Sequence, residues 1–155
     1  MPASRGAQAR GFALAAGLET RASPLFLAAA YLPFARRTGE LIVPTLDGTG
    51  RREAVLQPST AERIATLLTN AVEQGTGKGA AVKGMRVAGK TGTAPDPAGG
   101  LWGHFVGFAP SDAPARWVVS VNAYSPAGGY VGGTVAAPSF ARIVRNLATA
   151  APAAP

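Results

Sequence analysis

Val87-Ala88-Gly89-Lys90-Thr91-Gly92-Thr93-Ala94 is the stretch on which the reading of this chain turns. Val87 and Ala88 read as the start of a strand. Side chains on a strand alternate between its faces, so the hydroxyls of Thr91 and Thr93 fall together and Lys90 is expected on the opposite side. Gly92 has no side chain, which lets the backbone of a ligand approach the strand closely. A strand edge carrying one cation and two hydroxyls can hold an extended peptide that ends in a carboxylate.

The same letters have a second formal reading. Gly84-Met85-Arg86-Val87-Ala88-Gly89-Lys90-Thr91 satisfies the phosphate-loop pattern G-x-x-x-x-G-K-[ST]. That motif needs a buried strand before its first glycine and a helix opening at its Lys-Thr. Here Gln74 to Gly79 has loop composition, and Gly92, Pro95, Pro97, Gly99 and Gly100 follow Thr91, a run that cannot start a helix. The strand reading is the better one.

At 155 residues, 47% hydrophobic and 15% charged, the chain is globular and holds at most one domain. It has no cysteine, which excludes disulfides and thiolate metal sites. With His104 as the one histidine, a His-based metal centre or a Ser-His pair is not expected, and neither is any cofactor. The net charge of +7 is dispersed. Arg36-Arg37 and Arg51-Arg52 are the adjacent pairs, with no interleaved aromatics for base stacking, so a solvated basic surface is expected and nucleic acid is not.

In chain order, Met1 to Leu18 resembles a crude signal peptide but is short, and Glu19 and Arg21 follow at once. No run reaches the roughly 20 apolar residues that span a bilayer. Ser23-Pro24 opens a helix over Leu25 to Tyr31, apolar on nearly every side and therefore expected to be buried. Leu41 to Leu46 reads as a short edge strand because of Pro44, and Asp47 to Gly50 as a turn. Ser59-Thr60-Ala61-Glu62 forms a capping box for a helix with Ile64, Leu67, Leu68, Ala71 and Val72 along one stripe. Phe105 to Ala109 and Trp117 to Tyr124 are strands, the latter expected to be central, and with the strand at Lys90 they make an antiparallel meander. A last helix over about Ala137 to Leu147 lays Phe140, Ile143, Val144 and Leu147 on the sheet. The class is α+β, an antiparallel sheet with helices packed against it.

These blocks, in this order, resemble the transpeptidase domain of class B penicillin-binding proteins, relatives of the serine β-lactamases. Ala22 to Ala30 is similar to that family's "(V/A)-(T/S)-P-L-x-(L/M)-A-x-A" helix, and Glu73 to Gly77 to its "V-x-x-G-T-(G/A)" segment. Val87 to Ala94 is similar to "(V/I)-A-G-K-T-G-T-A" and carries the Lys-Thr-Gly signature. Phe105 to Pro110 resembles "(W)-F-x-G-(F/Y)-A-P", and Gly132 to Phe140 resembles "G-G-x-V-A-A-P-x-F". His104 stands where the family often has Trp; it is expected to be a surface or strand-edge histidine without a catalytic role.

The family's nucleophile lies in S-x-x-K, with an S-x-N motif between it and Lys-Thr-Gly. None of Ser4, Ser23, Ser59, Ser111, Ser120, Ser125 and Ser139 has lysine three residues on. Ser120-Val121-Asn122 fits S-x-N by letters but follows Lys-Thr-Gly. The resemblance is therefore to the C-terminal portion of the domain, over residues 21–148, with a lead-in at 1–20 and a disordered tail at 149–155. The helical subdomain that bears the nucleophile would be missing, leaving the Ala22 to Tyr31 helix uncovered and the chain prone to self-association.

The resemblance implies acyl-serine chemistry on D-Ala-D-Ala stem peptides of peptidoglycan, with β-lactams as mimics. In it the Thr93 amide is an oxyanion donor, the Thr91 and Thr93 hydroxyls bind the terminal carboxylate, Gly92 admits the peptide backbone, and Lys90 supplies positive potential. It also implies an extracytoplasmic, membrane-anchored setting and cell-division or elongation proteins as partners. A chain without the serine is expected to be inactive alone. A peptide-binding or complementing module, a β-lactamase or carboxypeptidase fragment, and a P-loop protein are the alternatives.

Overall fold

The computed structural model describes residues 21–43, 45, 49–129 and 131–150. The lead-in, the tail beyond residue 150, and Pro44 with most of the turn after it lie outside the described residues.

The chain opens on two short helices, α1 (Pro24–Ala30) and α2 (Leu32–Ala35). Ser23 starts the first as expected: its Oγ accepts from the Phe26 amide at 3.1 Å, and Pro24 takes a first-turn position where no amide donor is needed. Burial differs from expectation. Only Ala29 of α1 is buried, and Leu25 and Phe26 are 66% and 61% exposed, because nothing among the described residues covers that end of the helix. This is the uncovered apolar surface that the family resemblance implies. Arg37, at φ 58°, and Gly39, at φ 73°, then reverse the chain into β1 (Glu40–Ile42). The strand is shorter than expected and pairs with β2 (Arg52–Ala54) in a separate antiparallel ribbon.

Helix α3 (Pro58–Glu73) corrects two expectations. Gln57 is its N-cap and no side chain caps it, because Pro58 takes the first position and starts the helix before Ser59. Glu62 receives Arg37 Nη1 at 2.5 Å instead of completing a capping box, so Arg37, which also donates to the Ser111 carbonyl, is no free surface cation. The buried stripe is Ala61, Ala65, Thr69 and Val72, and Leu67 is 66% exposed. Small residues let the helix axis approach the sheet; leucine at those positions would hold it off. Thr69 returns its hydroxyl to the Ala65 carbonyl at 2.9 Å, which removes the cost of burying it.

The main sheet is the expected meander: β3 (Ala88–Pro95), β4 (Leu101–Ala109) and β5 (Trp117–Ser125), in the order β3-β4-β5 and antiparallel throughout. The central strand is β4, not β5. Six of the last seven residues of β4 are buried, whereas β5 is half-buried along most of its length. Its valines gave β5 the look of a central strand, but among the described residues only β4 flanks it. After a π-helical turn at Gly132–Ala136, α4 (Ala137–Ala150) runs past the expected end. Its buried residues are Ala137, Phe140, Ala141 and Val144, whereas Ile143 and Leu147 lie at the rim, 38% and 36% exposed.

Register sorts the two sheet faces. Gly89, Thr91 and Thr93 lie opposite Gly107, Phe105 and Gly103, then Val119, Val121 and Ala123. This face packs on α4: Phe105 meets Phe140 with ring centroids 4.8 Å apart, within a core that includes Val72, Val87 and Val144. On the other face Ala88, Phe108 and Val118 form one row, closed by Ala35 and Ala65 with Tyr31 and Leu68. Helix α3 thus crosses the outer edge of β3, with Ala65 in one core and Val72 in the other.

Candidate functional site

Beyond that crossing the outer edge of β3 carries Lys90, Thr91, Gly92 and Thr93 in consecutive register with Val106, Phe105, His104 and Gly103. The alternation expected for the backbone is present, but the Lys90 ammonium does not stay on its own side. Its Nζ returns to the edge and donates to the Thr91 carbonyl at 3.2 Å and to the Thr91 Oγ1 at 3.4 Å. A four-carbon stem is long enough to turn around a strand edge, which spacing in the sequence cannot show. Thr93 is exposed, and Gly92 and Thr91 are half-buried.

A further residue joins the group. The Thr76 Oγ1 lies 2.9 Å from the Thr91 Oγ1 and receives Lys90 Nζ at 3.4 Å. Thr76 follows α3, and the chain around it is fixed in two ways. Gly77 N donates to the Ala71 carbonyl at 2.9 Å, and Arg86, just before β3, donates to Glu73 Oε1 from Nε at 2.9 Å, with its Nη2 at 2.8 Å from the same oxygen. The available signal was a threonine between two glycines directly after a helix. That signal marks the family resemblance and does not show which side chains the turn meets.

Gly92 meets less than its neighbours do. A Cβ at Gly92 would stand 3.6 Å from the nearest atom, the Cβ of His104, an ordinary contact. A Cβ at Gly89 would fall 2.5 Å from the Phe105 ring and 2.7 Å from the Val106 carbonyl. Packing demands glycine at 89 and leaves room for a side chain at 92.

The face on which Gly92 opens continues through His104 and Asn122, then Trp102 and Tyr124 in the adjoining row. His104 is half-buried on the central strand and so is no strand-edge residue, and its Nδ1 lies 2.7 Å from Asn122 Oδ1. Trp102 stacks toward it at 6.4 Å and 12°, and Tyr124 lies 5.1 Å from Trp102. Trp102 Nε1 donates to Asp96 Oδ2 at 2.6 Å and the Ala98 amide to Oδ1 at 2.8 Å; these bonds, the tryptophan's first, hold the Asp96 carboxyl below the ordinary carboxylate range. Ser120 and Asn122 lie on β5, separated from Lys90 by β4, so their S-x-N spelling makes no motif beside the lysine.

Lys90 and Thr91 sit inside a strand, not at the mouth of a helix, which removes the phosphate-loop reading. Among the described residues no three His, Asp or Glu side chains come close enough to hold a metal ion. No helix among them is long and apolar enough to cross a membrane.

Comparisons with known proteins point to one family. The model of the penicillin binding protein transpeptidase domain matches residues 4–145. Stage V sporulation protein D of Bacillus subtilis is 41% identical over 102 residues, 61% of this chain and 16% of that protein. The probable peptidoglycan D,D-transpeptidase PenA of Neisseria flavescens is 40% identical over 98 residues, 58% of this chain and 24% of that protein. Among solved structures, the transpeptidase domain of penicillin-binding protein 3 from Burkholderia pseudomallei superposes with TM-score 0.68 at 35% identity, covering 86% of this chain and 45% of that one. The chain thus spans less than half of the solved domain and at most about a quarter of these curated relatives. With its α+β fold and its Lys-Thr-Gly edge strand in place, the chain belongs to the penicillin-binding protein transpeptidase family.

Proposed function

We propose that this chain forms the substrate-holding wall of a peptidoglycan D,D-transpeptidase. The observation that carries the reading is the open edge of β3, where the Lys90 ammonium and the hydroxyls of Thr76 and Thr91 gather around one point. A carboxylate placed there gains charge-assisted hydrogen bonds, and an extended peptide adds to β3 as a further strand. In this reading Lys90 supplies positive potential, Thr91 and Thr93 bind the terminal carboxylate of a D-Ala-D-Ala stem peptide, and the unfilled space at Gly92 takes the peptide backbone.

In the full reaction a serine oxygen bonds to the carbonyl carbon of the penultimate D-Ala, the peptide C–N bond breaks, and the terminal D-Ala departs with a proton. An amine of a neighbouring stem peptide then displaces the serine. The Thr93 amide is one donor to the transient oxyanion. No serine of these 155 residues stands in S-x-x-K, so the nucleophile comes from polypeptide other than these residues. In this reading the reaction takes place outside the cytoplasmic membrane, which the cell-wall setting of such relatives supports.

The test is an amide-resolved NMR titration of the purified chain with N-acetyl-D-Ala-D-Ala and with its C-terminal amide. Shifts centred on Lys90 to Thr93 for the free acid only are expected. Equal responses to both, or shifts confined elsewhere, would overturn the reading.

A further inference from the structure

Thr76 stands outside the Lys-Thr-Gly strand, yet it touches both Lys90 and Thr91 of that strand. We propose that Thr76 is a positioning residue that turns the Lys90 ammonium onto the hydroxyl side of β3 and fixes the Thr91 rotamer, so that charge and hydroxyl meet a carboxylate together. Its role in carboxylate binding rests on the function proposed above; its hold on Lys90 does not.

The chemistry requires a hydroxyl. Thr76 Oγ1 accepts from Lys90 Nζ at 3.4 Å while sharing a 2.9 Å hydrogen bond with Thr91 Oγ1, in which either oxygen is the donor. A hydroxyl has one hydrogen and two lone pairs, so it serves both neighbours at once, which a methyl group cannot do. Lys90 is exposed, and an exposed lysine otherwise samples many rotamers. Two hydroxyl oxygens and the Thr91 carbonyl give its three donors a common direction. The side chain would otherwise follow its Cβ to the opposite face.

The backbone delivers Thr76 with little freedom. A Cβ at Gly75 would fall 2.8 Å from the Ala71 carbonyl and one at Gly77 3.0 Å from it, so the Gly-Thr-Gly turn lies tight on the last turn of α3. The Glu73–Arg86 ion pair ties that turn to the segment entering β3. The threonine is therefore presented by a short, doubly anchored loop.

Thr76→Val, Thr76→Ser and wild type are compared in the 155-residue chain, first without ligand. Carbon-13 relaxation of the Lys90 ε-methylene and the Thr91 methyl shift are expected to show an ordered lysine in wild type and Thr76→Ser. In Thr76→Val the lysine is expected to relax like the other exposed lysines. An unordered Lys90 in wild type, or an ordered one in Thr76→Val, overturns the proposal. Thr76 is exposed, and the amide spectrum verifies that the valine variant is folded; Thr76→Ala repeats the test without a branched side chain. With N-acetyl-D-Ala-D-Ala added, Thr76→Val is expected to bind about fivefold more weakly and Thr76→Ser like wild type. If Lys90 is ordered by Thr76 but wild type does not bind the peptide, the hold on the lysine stands and the proposed function fails. If wild type and Thr76→Val bind equally, the positioning role fails.

Discussion

The two faces of the three-stranded sheet are made from the same strands and differ in what they demand of the sequence. On the α4 face every large side chain has a partner: Phe105 and Phe140 are fully buried against each other, and the glycine at 89 is the gap into which the Phe105 ring fits. The opposite face is closed at one end by Ala35 and Ala65. At the other it leaves Trp102 and Tyr124 37% and 44% exposed beside a glycine with room to spare. Apart from Thr91 and Thr93 at its outer margin, residues on the first face are explained by this chain alone. Those on the second carry features, Gly92 and the turned lysine above all, that gain their meaning from something placed against them.

The largest test of that contrast is truncation. Phe140→Ala should cost about 3–5 kcal/mol in denaturant unfolding, because the site is closed on all sides. Trp102→Ala should cost less, about 1–2 kcal/mol, since 37% of the residue is already in water. Equal losses would mean that the two faces are equally packed.

Glycine replacement comes next. Gly89→Ala should destabilise by about 2 kcal/mol as the new methyl collides with the Phe105 ring and the Val106 carbonyl. Gly92→Ala should leave stability unchanged or raise it by up to about 1 kcal/mol, as strand interiors prefer alanine, while weakening peptide binding. A matching loss at both positions would show that Gly92 is structural after all.

A smaller effect is expected at α1. Leu25→Ser with Phe26→Ser should reduce self-association in sedimentation velocity without lowering the melting temperature, because both side chains are mostly exposed. A chain that is already monomeric would remove the premise.

The smallest is electrostatic. The depressed Asp96 carboxyl contributes to the β3–β4 hairpin above its unfolded pKa of about 3.9 and loses that contribution as pH falls through its lower folded value. Hydrogen exchange near Trp102 should therefore speed up only in strong acid. Acceleration already at pH 5–6 would assign the hairpin's stability to another group.

Much of this was legible in the chain. The strand around Lys90, the meander and the final helix follow from alternation, turn residues and helical spacing, each a local property. What failed was long-range. Leu67 looked like core by spacing and is outside, because the close approach of α3 to Ala88 and Phe108 selects alanines for the contact. Glu62 looked like a cap and serves Arg37, a residue 25 positions away. Strand β5 looked central because its composition says apolar, and composition does not count neighbours. Thr76 escaped notice for a similar reason: its partners are 14 and 15 residues away, and only the fold brings them together.

The passage of α3 across β3 has one more consequence. It makes the free margin of the strand a blind alley, stopped at the Thr76 turn and continuing only toward Pro95 and the hairpin tip. On the proposed function, a peptide added to β3 would have its end at that turn, a place that suits a chain terminus and not the middle of a polymer.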